Sequence, residues 1–90
     1  MNLADIDAAG RAIREAIKNK RSVEYYTSTA LETADLLTKQ SRKAFESGEL
    51  DYTTLLLNLR QALSIREGYL TTMLQYNKSM ITLQYLNGNN

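Results

Sequence analysis

Ninety residues, 43% of them hydrophobic and 23% charged, with no proline, describe one small folded helical chain better than a disordered one. Cysteine and histidine are both absent, which removes disulfides, thiolate chemistry, and the commonest metal ligand and general base. The net charge of +1, with basic and acidic residues interspersed, provides no field that would gather nucleic acid or an acidic membrane surface.

The beginning, Met1-Asn2-Leu3-Ala4-Asp5, lacks the basic region and apolar run of an export signal, and no apolar stretch reaches membrane length. The expectation is a chain that, as written, has no export signal and no membrane-spanning segment. Asn2 suits a helix N-cap and Asp5 and Asp7 suit the first turn, although the same residues fit the interior of a longer helix. From there the first arm, about residues 2–47, steps by three and four through Ile6, Ala9, Ile13, Ala16, Lys20, Val23, Thr27, Ala30, Ala34, Leu37, Ser41 and Ala44. That is the stripe of a coiled-coil helix with a mostly small seam, into which Lys20 would lay its aliphatic stem. Gly10 weakens its first turns by roughly 1 kcal/mol relative to alanine. The basic residues from Arg11 to Arg21 are interrupted by Glu15 and read as a solvated face. Tyr25 and Tyr26 read as one packed ring beside one exposed ring, with no ligand.

The break between the arms falls at about residues 48–50. Gly48 suits the left-handed position past a helix end, and Asp51 suits the cap of the next helix by accepting from Thr53 or Thr54. Leu50 and Leu55 have the spacing of a hydrophobic staple. Glu46 and Glu49 flank the turn as solvated carboxylates.

The second arm, about residues 51–87, repeats the three-and-four stripe through Tyr52, Leu55, Leu59, Ala62, Arg66, Tyr69, Met73, Tyr76, Met80 and Leu83. Leu56, Leu63, Leu70, Leu74 and Ile81 flank it, making an apolar face wider than one partner helix covers. After Gly68, Lys78 is the only charged side chain, which predicts neighbours on several sides. Counting outward from Gly48 places Gly68 near Ala30, an opportunity for close helix crossing. Gly88 reads as a second helix stop, with Asn89 and Asn90 as a tail. Met73 and Met80 read as core, not as a soft-metal pair, so no metal, cofactor or catalytic constellation is expected, and the chain does not read as an enzyme.

The words Lys43-Ala44-Phe45-Glu46-Ser47-Gly48-Glu49-Leu50-Asp51-Tyr52, Gly68-Tyr69-Leu70, Tyr76-Asn77-Lys78-Ser79 and Leu86-Asn87-Gly88 together resemble the C-terminal helical hairpin of TolC-like outer-membrane efflux proteins, especially the heavy-metal efflux branch. Phe45, Gly48, Leu55, Leu56, Tyr69, Tyr76 and Gly88 match that pattern. The resemblance implies an all-α fold, a long antiparallel helical hairpin that forms part of a periplasmic α-barrel in a homotrimeric parent. It also implies that Phe45, Ser47, Gly48, Glu49 and Leu50 form a tip that docks a periplasmic adaptor protein and, through it, an inner-membrane pump. The location implied is the periplasmic part of an outer-membrane protein. Leu50 and Leu57 stand where some multidrug relatives carry a basic residue and an aspartate, so their charged gate does not transfer. The chain lacks the membrane strands and the other helical repeat, so it forms no pore by itself. The competing expectation is a stand-alone homo-oligomeric helical interaction protein that dimerises into a four-helix bundle.

Overall fold

The computed structural model describes residues 2–88, and every regular element among them is helical. Helix α1 spans Leu3–Tyr25, a π-helical turn follows over Tyr26–Ala30, α2 spans Leu31–Glu46 and α3 spans Tyr52–Gly88. No described helix is long and apolar enough to cross a membrane. The chain divides into two compact units, one made of residues up to Glu24 with those from Thr71 onward, the other of Tyr25–Leu70.

The Tyr25–Leu70 unit is a helical hairpin. Ala30, Ala34, Ser41, Leu55 and Ala62 are buried between its arms, and Ala34 and Ala62 have no exposed surface. One methyl per alanine contributes only roughly 0.8 kcal/mol, so this seam holds by closeness of approach, not by volume. A polar rung crosses it: the Asn58 side-chain amide donates to the Ser41 hydroxyl at 3.0 Å. Farther from the turn the Tyr26 and Tyr69 rings meet with centroids 6.0 Å apart.

The terminal unit pairs α1 with the last part of α3. Ala12, Ala16, Asn19 and Ser79 are its buried residues. Asn19 Nδ2 donates to the Gln75 carbonyl at 3.3 Å and lies 3.4 Å from Ser79 Oγ, and that hydroxyl donates to the Tyr76 carbonyl at 2.8 Å. A buried amide with such partners penalises any slip that would leave it unsatisfied, so it fixes the register of the pair. At the start of α1, Asn2 Oδ1 accepts the Asp5 backbone N–H at 2.9 Å, which is the N-cap anticipated from the sequence.

In the first half of the first-arm stripe Ala9, Ala16 and Val23 lie inward as expected, and the alternate positions differ. Ile6, Ile13, Lys20 and Thr27 are exposed, while Ala12, Asn19 and half-buried Tyr26 face inward. From Ala30 onward Ala34, Leu37, Ser41 and Ala44 lie inward as expected. The π turn supplies the reason. Its closing bond runs from the Leu31 N–H to the Tyr26 carbonyl, five residues back, so the turn holds one more residue than an α turn. That extra residue is the one by which Ala34 and Ser41 are displaced from the sevenfold step of Ala12, Asn19 and Tyr26, while Ala9, Ala16, Val23 and Ala30 keep step with Leu37 and Ala44.

On α3, Tyr52 and Arg66 are exposed, and half-buried Ile65 takes the inward place expected of Arg66. Leu56, Leu63, Leu70, Leu74 and Ile81 are all exposed, the last three above 60%. Gly68 meets Tyr26: a Cβ at Gly68 would collide with the Tyr26 hydroxyl and lie 3.2 Å from its ring carbon Cζ. The glycine makes room for a ring. Gly88, expected as a helix stop, is still helical and does not adopt positive φ; Asn89 and Asn90, read as a tail, lie outside the described residues.

Candidate functional site

The hairpin tip is built by two helix ends that satisfy their own backbone groups. At the end of α2 the Glu49 N–H donates to the Ala44 carbonyl at 2.8 Å and the Gly48 N–H to the Phe45 carbonyl at 3.1 Å. These are the two nested bonds of a Schellman motif, and they require a left-handed residue between them. Gly48 fills that position with φ of +81°, the only positive φ among the described residues. The Ser47 hydroxyl donates to the Ala44 carbonyl at 3.0 Å, so that oxygen accepts twice.

The start of α3 is closed from the other side. Asp51 Oδ1 accepts the Thr54 N–H at 2.8 Å, and the Asp51 carbonyl accepts the Leu55 N–H at 3.0 Å. The Thr54 side chain and then its backbone N–H hold the Asp51 carboxyl below the ordinary carboxylate range, because both bonds favour the charged form. Leu50 is half-buried and Leu55 is buried, the pattern of a staple that sets the entry angle of the chain.

With the backbone bonds closed, the side chains of the tip divide in two. Leu50 turns toward the hairpin, while Phe45, Ser47, Gly48 and Glu49 are exposed. Phe45 is 40% exposed and its ring sits 6.0 Å from that of Tyr52, tilted by 54°. Tyr52, read from the sequence as a seam residue, is 61% exposed and belongs to the tip. Its signal was available: an aromatic directly after the N-cap, opposite an aromatic three residues before the turn glycine. The tip presents an aromatic pair, the exposed carboxylates of Glu46, Glu49 and Asp51, and a turn whose backbone groups are bonded internally.

The terminal unit carries two grooves along its helix pair. One, of about 760 Å³, is lined by Arg11, Glu15, Lys18, Asn19, Lys78 and Ser79 among others. Arg11 pairs with Asp7, and Lys18 lies 3.6 Å from Glu15, so two of its cations are matched on their own helix. The other, of about 440 Å³, has no ionisable lining residue and includes Ala9, Ile13, Met80 and Leu83. Among the described residues no group of three or more acidic, histidine or cysteine side chains gathers as a metal site.

No known protein family, curated protein or solved structure shows significant similarity to this chain.

Proposed function

We propose that this chain is a wall segment of an outer-membrane efflux duct, contributing a helical hairpin to a periplasmic α-barrel and a tip that docks the adaptor of a tripartite pump. The observation that carries this reading is the tip, whose backbone is bonded internally at both helix ends while Phe45, Tyr52 and Glu49 remain exposed. Ser47 and Asp51 hold the turn, and Phe45, Tyr52 and Glu49 stand outside those bonds, which suits them to a partner. Support for the wall comes from α3, which keeps Leu56, Leu63 and Leu70 exposed in one unit and Leu74 and Ile81 exposed in the other. A helix flanked by neighbours in a closed ring has such faces covered. In the parent, three copies close the duct, the adaptor connects it to the inner-membrane pump, and passage is passive, so no residue of the chain acts on the exported molecule.

The test is a photocrosslink. A Ser47→Cys variant, labelled with a benzophenone maleimide, is mixed with a purified periplasmic adaptor and illuminated, beside the same label at Ser22→Cys away from the tip. Crosslinking at position 47 but not at 22 is the expected result; equal yields, or none at 47 with helicity intact, would overturn adaptor docking at the tip. The second reading, a stand-alone homo-oligomeric helical protein, is favoured by the uncharged groove beside Ile13. In-frame coding sequence upstream that specifies strands and a matching hairpin separates the two in favour of the duct.

A further inference from the structure

We infer that the groove of the terminal unit bordered by Arg11, Lys18 and Lys78 is a docking surface for an acidic helical segment of a partner protein. Three observations lead to it.

The first is a row of cations. Arg11, Arg14, Lys18 and Arg21 follow one another along α1 at steps of three, four and three residues, so they share one face over about 15 Å. From Arg11 to Arg21 the only carboxylate on that helix is Glu15. Arg11 is matched by Asp7 and Lys18 by Glu15. Arg14 and Arg21 pair with no carboxylate among the described residues, and neither does Lys78 on α3. Arg14 lies over Gly10, where a Cβ would stand 3.4 Å from its Nη1.

The second is the groove beside that row. Arg11, Lys18 and Lys78 line it together with Ala8, Ala12 and Leu86. Small apolar residues between cationic banks complement a helix whose apolar stripe is bordered by carboxylates.

The third is Asn19, which lines the groove and is only 7% exposed. Its Nδ2 faces the Gln75 carbonyl at 3.3 Å, and a carbonyl only accepts, so Oδ1 is the opposite end of the amide. That oxygen accepts from no described group. A donor entering the groove would satisfy it. The occupant therefore brings negative charge and an N–H or O–H donor. A phosphate backbone or an anionic lipid surface carries charge on every unit and meets Asp7 and Glu15 as well as the cations. A helix sets its charges residue by residue: its carboxylates can face Arg14, Arg21 and Lys78 while a glutamine or serine faces Glu15 and Asn19.

The inference goes beyond the docking tip and does not depend on it, since the variants below leave residues 45–52 untouched. Heteronuclear NMR spectra of the isotopically labelled chain are titrated with a helical peptide of three EAAEQAA heptads. The amides from Arg11 to Arg21 and from Gln75 to Thr82, and the Asn19 side-chain amide, should shift saturably below about 1 mM peptide. Affinity should fall as sodium chloride rises from about 50 mM to about 500 mM. Arg14→Gln with Arg21→Gln removes two exposed, unpaired cations; it should leave helicity unchanged and raise the dissociation constant about fivefold or more. Lys78→Gln should raise it about two- to fivefold. Arg42→Gln with Lys43→Gln, at exposed cations of the hairpin unit, should leave it unchanged. The proposal is overturned by equal binding of the peptide with glutamine for every glutamate, or by a single-stranded oligonucleotide or phosphatidylserine vesicles binding at least as tightly. Shifts that spare the Asn19 amide, an equal loss in the hairpin-unit variant, or no saturable shift below about 1 mM would also overturn it.

Discussion

Gly48 and Asp51 do most of the local work of reversing the chain, by different physics. At φ of +81° an L-residue other than glycine suffers a clash between its Cβ and its own backbone of about 1–2 kcal/mol. Nothing lies within 4 Å of where that Cβ would be, so the penalty is torsional and no neighbour adds to it. Gly48→Ala is therefore expected to lower the unfolding free energy by about 1–2 kcal/mol with far-ultraviolet circular dichroism unchanged, read from urea unfolding at fixed protein concentration. Asp51 acts through charge and a hydrogen bond to the first turn of α3. Its carboxyl is held below the ordinary range in the folded chain, so its contribution is complete above the unfolded value and disappears as the pH falls through the lowered folded one. Asp51→Asn keeps an acceptor but no titrating group, and its thermal midpoint should be flatter than that of the parent chain below about pH 4. Parallel profiles would exclude the Thr54 bonds as the cause.

The long helices are made of two kinds of pairing contact, a small-residue seam and a few polar rungs. Asn58 reaches Ser41 in the hairpin unit and Asn19 reaches Ser79 in the terminal unit, each a bond that one register satisfies and a shifted register breaks. The π turn reconciles the stripe before it with the stripe after it. Deleting one residue of that turn should convert it to α geometry without rotating either stripe, so removal of exposed Ser28 is expected to change stability by less than about 1 kcal/mol, or roughly 4–8 °C in melting temperature. Removal of Gln40, inside α2, turns Ser41 and Ala44 off the seam by about 100° and breaks the Asn58 rung, and should lower the midpoint well beyond that range. If the two deletions melt alike, the π turn is not a register device.

Among the described residues, the buried apolar side chains are mostly methyl groups, and the ion pairs of Arg11, Lys18 and Lys39 lie on the surface. The pairs Arg11–Asp7, Lys18–Glu15 and Lys39–Asp35 have side chains 54–73% exposed, a range in which an ion pair is worth about 0–1 kcal/mol and is screened by salt. Stability should thus change little between 50 mM and 500 mM sodium chloride, but the melting temperature should rise with protein concentration, because apolar surface left outside is covered only by association. Differential scanning fluorimetry over a hundredfold range of concentration checks this. A midpoint that moves with salt and not with concentration would reverse the assignment of what holds the chain together.

The helical class, the N-cap at Asn2, the left-handed turn at Gly48 and the cap at Asp51 were all legible in the residues, because each follows from backbone chemistry within four or five positions. The backbone of the turn was legible for the same reason, whereas the inward placement of Leu50 and the outward placement of Tyr52 beside Phe45 depend on how the arms meet. What the sequence left undecided was which of two adjacent residues faces the seam. Ile13 and Ala12, or Lys20 and Asn19, fit a three-and-four stripe equally, and hydropathy favours Ile13. The structure selects Ala12, Asn19 and Tyr26. A close helix pair prefers a methyl or a bonded amide to a branched side chain. Gly68 clears the space into which Tyr26 points, and the π turn absorbs the resulting offset. Those choices are made between residues some forty to sixty positions apart, where only tertiary packing compares the alternatives.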